Sequence, residues 1–261
     1  MLFRSTTLER ILWHIEEDII PVVPEKGSVG ASGDLAPLAH LFLPLIGLGE
    51  VYYKGIRFRT AELFQQLGVE PIKLGPKEGL ALINGTQFIL AFAVKAVQRL
   101  HNCLEAADII GAMSLEALTG TQAPFDDRLH QLRPFAGSRL VAQRLRKLLD
   151  GSAIMQSHVD CGRVQDPYSL RCMPQVHGAS RNAWLHLKEL TSIELNAVTD
   201  NPVVLSADDT ISGGNFHGQP LALPLDYACL AAAEVGNIAD RRCYLLLEGK
   251  WGLPLLLMKD V

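Results

Sequence analysis

Apolar residues recur at helical spacing from Leu8 through Ile11, Leu12, Ile15 and Ile19, which predicts a helix with one apolar face. Thr6 with Glu9 makes a capping box at its start, and Pro21 and Pro24 stop it. After a glycine-dense stretch at 27–33, Asp34 is a good N-cap for the apolar segment that follows. Pro37 is tolerable in its first turn and Pro44 should kink or end it. His40 on this segment is expected to be buried and bonded to backbone. The period then changes: Val51-Tyr52-Tyr53-Lys54-Gly55-Ile56-Arg57-Phe58 alternates around a two-residue turn and predicts a small hairpin. Thr60 caps a short helix over 61–67, which Gly68 closes.

Long helical patterns dominate the rest. Residues 87–118 are largely apolar, with Lys95, Arg99 and Glu105 marking a polar face. A helix from Ser138 turns Leu140, Val141, Leu145, Leu148 and Leu149 inward and leaves Arg139, Arg144, Arg146 and Lys147 as a solvated basic face. Residues 152–163 show no period and read as a loop. Helices over 174–198 and 221–247 complete the pattern, the first terminated by Asp200-Asn201-Pro202. The fold class is therefore mainly α: a long-helix bundle with a small loop/hairpin lobe. Residues 1–80 form that lobe and 81–261 the central helical bundle, together one continuous domain.

Composition narrows the class. A chain of 261 residues with 48% hydrophobic content can bury a substantial core. The net charge of -4 gives no electrostatic reason to expect nucleic acid or an anionic membrane. The longest uncharged apolar stretch, 35–49, holds two prolines and is short for a membrane span. An N-terminus bearing Glu9, Glu16, Glu17 and Asp18 does not read as a signal peptide. Five cysteines without metal-like pair spacing read as reduced thiols of a cytoplasmic protein, with no metal expected.

Two clusters are chemically distinctive. In Ala31-Ser32-Gly33, small residues flank a serine, and glycine permits the backbone geometry of a cyclisation. Attack of the Gly33 nitrogen on the Ala31 carbonyl, with loss of water that includes the Ser32 hydroxyl, leaves an exocyclic methylidene on a five-membered ring. That product is an electrophile built from the chain. In Gln165-Asp166-Pro167-Tyr168-Ser169-Leu170-Arg171, an amide, a phenol and a guanidinium fall within seven residues. Arginine's planar fork suits a carboxylate and tyrosine can relay a proton. Taken alone, Asn84-Gly85 is a turn, and the loop around Phe216 is a turn with one buried ring.

The run Val22-Val23-Pro24-Glu25-Lys26-Gly27-Ser28-Val29-Gly30-Ala31-Ser32-Gly33-Asp34-Leu35-Ala36-Pro37-Leu38-Ala39 resembles the signature of the aromatic amino acid ammonia-lyases. Pro174-Gln175-Val176-His177-Gly178-Ala179 and Asn215-Phe216-His217-Gly218 resemble the histidase branch; Gln219 departs from the more usual Glu. The resemblance implies a 4-methylidene-imidazol-5-one (MIO) group made from Ala31, Ser32 and Gly33, with Asn84 bonded to it and Phe216 packed against it. It further implies that Gln165, Tyr168 and Arg171 are site residues, with Arg171 gripping the substrate carboxylate. The implied reaction is loss of ammonia from L-histidine to give trans-urocanate, in a homotetramer whose sites are shared between subunits. Family members extend beyond both ends of this chain, where a base tyrosine, a substrate-selecting histidine and a site glutamate reside. The alternatives are a phenylalanine or tyrosine ammonia-lyase or aminomutase, and a catalytically incomplete helical fragment or split subunit.

Overall fold

In the computed structural model, which describes residues 4–26, 34–159 and 162–259, the apolar periods become helices and the alternating stretch becomes sheet. The elements in order are α1 (Ser5–Glu16), β1 (Ile20–Pro21), α2 (Leu35–Phe42), β2 (Glu50–Tyr53), β3 (Ile56–Arg59), α3 (Thr60–Leu67) and α4 (Glu78–Ile83). There follow α5 (Gln87–Ala117), α6 (Asp127–Leu132), α7 (Ala136–Leu148), α8 (Ala153–Gln156), α9 (Tyr168–Arg171) and α10 (Met173–Glu194). Last come β4 (Val203–Val204), β5 (Thr210–Ile211) and α11 (Gln219–Leu247). The mainly α class holds, with the sheet confined to short strands.

The described chain divides into two compact units, Met1–Phe92 with Ile193–Ala222, and Ala93–Ser192 with Leu223–Val261. In the first, β2 and β3 form the expected hairpin, and Ile20–Pro21 adds an edge strand antiparallel to β2. Ile19, Val51 and Leu63 make its core under Trp13, Tyr53 and Phe58. Pro44 ends α2 in a single 3-10 turn, Leu43–Ile46, and Gly68 closes α3 in the left-handed conformation at φ 66°.

Several local expectations give way to tertiary contacts. The capping box of Thr6 and Glu9 is absent: α1 starts after Arg4 and no side chain caps it, while the neighbouring Thr7 hydroxyl donates to Glu78. The first helix stops at Glu16, because Ile20 and Pro21 are drawn into the sheet, where proline is tolerated at an edge. Leu12 and Ile15 are exposed, as is His40. Asp34 precedes α2 without capping it.

The second unit is a helical core of Leu115, Leu118, Phe125, Val141, Leu145, Leu149, Leu170 and Met173, beside a smaller cluster of Leu100, Leu104, Leu187 and Ala228. On α7 the buried stripe runs Val141, Leu145 and Leu149 at four-residue spacing, so Leu140 and Leu148 turn outward, against expectation. Arg144 and Arg146 are not a solvated face either. Arg144 pairs with Glu105 and Asp108, and Arg146 donates to the Phe125 carbonyl and pairs with Asp127. The region 152–163 contains α8, whose N-terminus is capped by the Ser152 hydroxyl. Helices α7 and α10 cross backbone to backbone at Gly137 and Gly178, where a Cβ on either would collide with the other's main chain.

Candidate active site

In the first unit the polar side chains tie loops to one another. Ala31, Ser32 and Gly33 lie outside the described residues, but Asp34, the next residue, is held twice. Its backbone N–H donates to the Gly85 carbonyl at 2.9 Å, and its carboxylate accepts the Phe88 and Ile89 N–H groups, both at 2.9 Å. Those amides are unpaired donors of the first turn of α5, so Asp34 caps a helix remote in sequence. Burial pushes its carboxyl above the ordinary value, against the pull of the two amide bonds.

Asn84, at the C-terminal end of α4, is buried. Its amide nitrogen donates to Asp200 Oδ1 and to the Asn201 carbonyl, both at 3.0 Å. With both amide hydrogens committed, the carbonyl oxygen is the atom left for a further partner. Lys77 Nζ bonds the same two residues at 2.9 and 3.1 Å. The side chain of Asn201 in turn accepts from Gly213 N at 2.7 Å, and Asn215 donates to the Val198 carbonyl at 3.0 Å. These bonds tether the loop bearing half-buried Phe216 to the segment that holds Asn84.

The second unit carries the other cluster. A single helical turn cannot stabilise itself, because nucleation costs more than one hydrogen bond returns. Outside contacts hold α9: Leu170 enters the core, and Asp166 accepts the Thr121 N–H at 2.6 Å. Ser169 and Leu170 point inward, while Tyr168 and Arg171, three residues apart on one face, point outward. Tyr168 is 72% exposed, and the Arg171 guanidinium lies 4.5 Å from its ring centroid. Arg171 has a buried Nε without a partner and no ion pair among the described residues. Exposed Gln165 borders a cavity of about 360 Å3 together with Thr121, His158 and Arg163.

Behind α9 is a buried ionic network that motif reasoning did not find. Asp108 on α5 is fully buried. It bonds His177 Nδ1 on α10 at 2.8 Å, Arg144 Nε on α7 at 2.9 Å, and Arg181 Nη2 on α10. Glu105 accepts from Arg181 at 2.9 Å and pairs with Arg144 at 2.7 Å. Burial alone would raise the Asp108 carboxyl, but the bonds from His177 and Arg181 outweigh it and hold it below its ordinary value. Arg242 on α11, whose guanidinium burial pulls down, reaches His177 Nε2 at 3.5 Å and the Ser169 carbonyl at 3.3 Å. The available signal was one aspartate inside the apolar run Ala106-Ala107-Asp108-Ile109-Ile110. Among the described residues no group of three or more His, Cys, Asp or Glu side chains is placed to hold a metal ion.

Comparison with known proteins converges on one family. The family described as aromatic amino acid lyase matches residues 3–261. A histidine ammonia-lyase from Sorangium cellulosum is 53% identical over 251 residues, covering 94% of this chain and 49% of that protein. The crystal structure of histidine ammonia-lyase from Trypanosoma cruzi superposes with a TM-score of 0.88 at 40% identity, over 99% of this chain and 48% of that one. A tyrosine aminomutase from Streptomyces globisporus superposes with a TM-score of 0.91 at 35% identity, over 99% of this chain and 53% of the other. The chain spans about half the length of the curated relatives it matches. With a match running from residue 3 to its last residue and helices arranged as in these structures, the chain belongs to the aromatic amino acid lyase family.

Proposed function

We propose that this chain serves a histidine ammonia-lyase, removing ammonia from L-histidine to give trans-urocanate. The observation that carries the reading is the α9 turn: a half-buried arginine with no counter-ion among the described residues, stacked on an exposed tyrosine. A guanidinium so placed is ready for a carboxylate, because its desolvation is offset only when an anion arrives. Arg171 binds the substrate carboxylate, Gln165 hydrogen-bonds beside it, and Tyr168 relays a proton at its phenol oxygen while a base takes the β-proton.

The residues around the Ala31-Ser32-Gly33 segment fit a methylidene-imidazolone. Asn84 has one acceptor oxygen to offer after its amide hydrogens are committed, and Asp34, the residue that follows the triplet, is bonded to Gly85. Once formed, the group supplies an electrophilic carbon that activates the departing amine. Asn84 and Phe216 are the residues that would hold it, the one by a hydrogen bond and the other by packing. Shared sites in a cytoplasmic homotetramer complete this reading.

A second reading, action on tyrosine or phenylalanine, is favoured by the likeness to the tyrosine aminomutase. The higher identity to histidine ammonia-lyases weighs against it. Ser32→Ala tests the main reading in two ways. The parent protein should weigh less than its sequence by two waters, localised to the peptide holding residues 31–33, and the variant should keep that mass difference and its turnover only if the reading is wrong. Product analysis on L-histidine, L-tyrosine and L-phenylalanine then assigns the substrate.

A further inference from the structure

A one-turn helix satisfies few of its own carbonyls, in α9 chiefly that of Tyr168 through the Cys172 N–H, so a contact from outside is needed to fix its angle. In α9 that contact comes from α11: Arg242 Nη1 donates to the carbonyl of Ser169, the residue between Tyr168 and Arg171. Arg242 is 2% exposed and makes no ion pair among the described residues. Its second contact, His177 Nε2, is an imidazole whose other nitrogen faces the Asp108 carboxylate. A carboxylate can only accept and a guanidinium can only donate, so the two contacts together have His177 donate from Nδ1 to Asp108 and accept at Nε2 from Arg242. Asp108, His177, Arg242 and the Ser169 carbonyl thus form a directed chain from α5 through α10 and α11 to α9.

We propose that Arg242, oriented by the Asp108–His177 pair, is a positioning residue that sets the pitch of α9 and thereby aims Arg171 and Tyr168 at substrate. The proposal rests on the reading of Arg171 as the carboxylate grip. Arg242 touches no reacting atom; it acts through the backbone of the turn. His177 acts one step further back, by holding a tautomer that can accept from Arg242 and by denying it a competing rotamer.

The test is a double-mutant cycle in the catalytically competent assembly, with L-histidine as substrate. Arg171→Met raises KM if that residue grips the carboxylate. Arg242→Met, where it folds with an unchanged melting temperature, should lower kcat/KM by about 10²-fold, the scale of a 1 Å misplacement, with a raised KM. In the Arg171→Met background, Arg242→Met should raise KM no further, since its effect passes through Arg171. Arg242→Lys and His177→Gln are the milder variants should Arg242→Met fail to fold. Each should raise KM in the same direction. An unchanged KM in Arg171→Met overturns the functional reading. A raised KM in Arg171→Met beside an unchanged KM in the folded Arg242 and His177 variants, or full additivity in the cycle, overturns the positioning role alone.

Discussion

Both units spend buried polar groups, but on different objects. In the first, Asp34, Asn84 and half-buried Asn201 bond mainly to main-chain groups, namely Phe88 N and Ile89 N at the start of α5, the Asn201 carbonyl and Gly213 N. In the second, Asp108, Glu105, Arg144, Arg181 and His177 bond chiefly to one another. The first kind of bond specifies the path of a chain that has no regular structure to follow. The second specifies which ready-made helices stand together, since each partner comes from a helix that already satisfies its own backbone. Loss of a partner should therefore be costly and global in the second unit, and smaller and more local in the first.

The sharpest way to break this contrast is Asp108→Ala, which strands two arginines and a histidine in the core. We expect a loss of about 3–5 kcal/mol, read by denaturant unfolding, as for a broken buried ion pair. A cost below 1 kcal/mol would equate the network with surface pairs, whose median is about 0–1 kcal/mol. Next is Gly178→Ala, whose new Cβ would lie 2.6 Å from Ser138 Cα and 2.7 Å from Gly137 C. Backbone cannot yield as a side-chain tip does, so overpacking of about 1–3 kcal/mol is expected. Gly151→Ala bears no such crowding, as an added Cβ meets nothing within 4 Å there, although its φ of 72° carries backbone strain.

In the first unit, Asp34→Ala removes a cap from α5, and the thermal transition should report about 0.5–2 kcal/mol. Asp34→Asn, which keeps an acceptor oxygen, should recover part of it. The smallest effect expected concerns acid stability. Glu78 accepts bonds from Arg4, Thr7 and the Gly75 N–H, and these lower its pKa from 4.5 to about 2. A carboxyl lowered on folding stabilises fully above its unfolded value and loses that contribution as pH falls toward its folded value. Unfolding followed between pH 4.5 and 2 should therefore show a shallower acid decline in Glu78→Gln than in the parent. Parallel declines would remove Glu78 from the account.

Much of the second unit was legible because its helices obey a single periodicity. The stripe Val141, Leu145 and Leu149 is buried as a four-residue repeat requires, and α5, α10 and α11 run within a few residues of their apolar patterns. What misled was charge. Arg144 reads as solvent-facing in a one-dimensional pattern, because its partner Asp108 lies 36 residues away on another helix. Asp34 reads as the cap of the helix it precedes, yet its carboxylate serves a helix that begins more than 50 residues later. The α9 cluster was visible as three chemically apt residues. That Tyr168 and Arg171 stack, and that Ser169 and Leu170 face inward, required the turn itself.

The sequence alone determined the class of the fold, the approximate spans of the long helices, the hairpin at Lys54-Gly55 and the family, since these depend on local period, on glycine's conformational freedom and on contiguous motifs. Tertiary structure alone decided that residues 193–222 return to the first unit, that Asn84 is tethered by Asp200 and Asn201, and that Asp108, His177 and Arg242 line up behind Ser169. The reason is physical: hydrogen bonds and ion pairs between buried polar groups are set by distances in space, and no period along the chain encodes which of many charged residues will meet once the helices have packed.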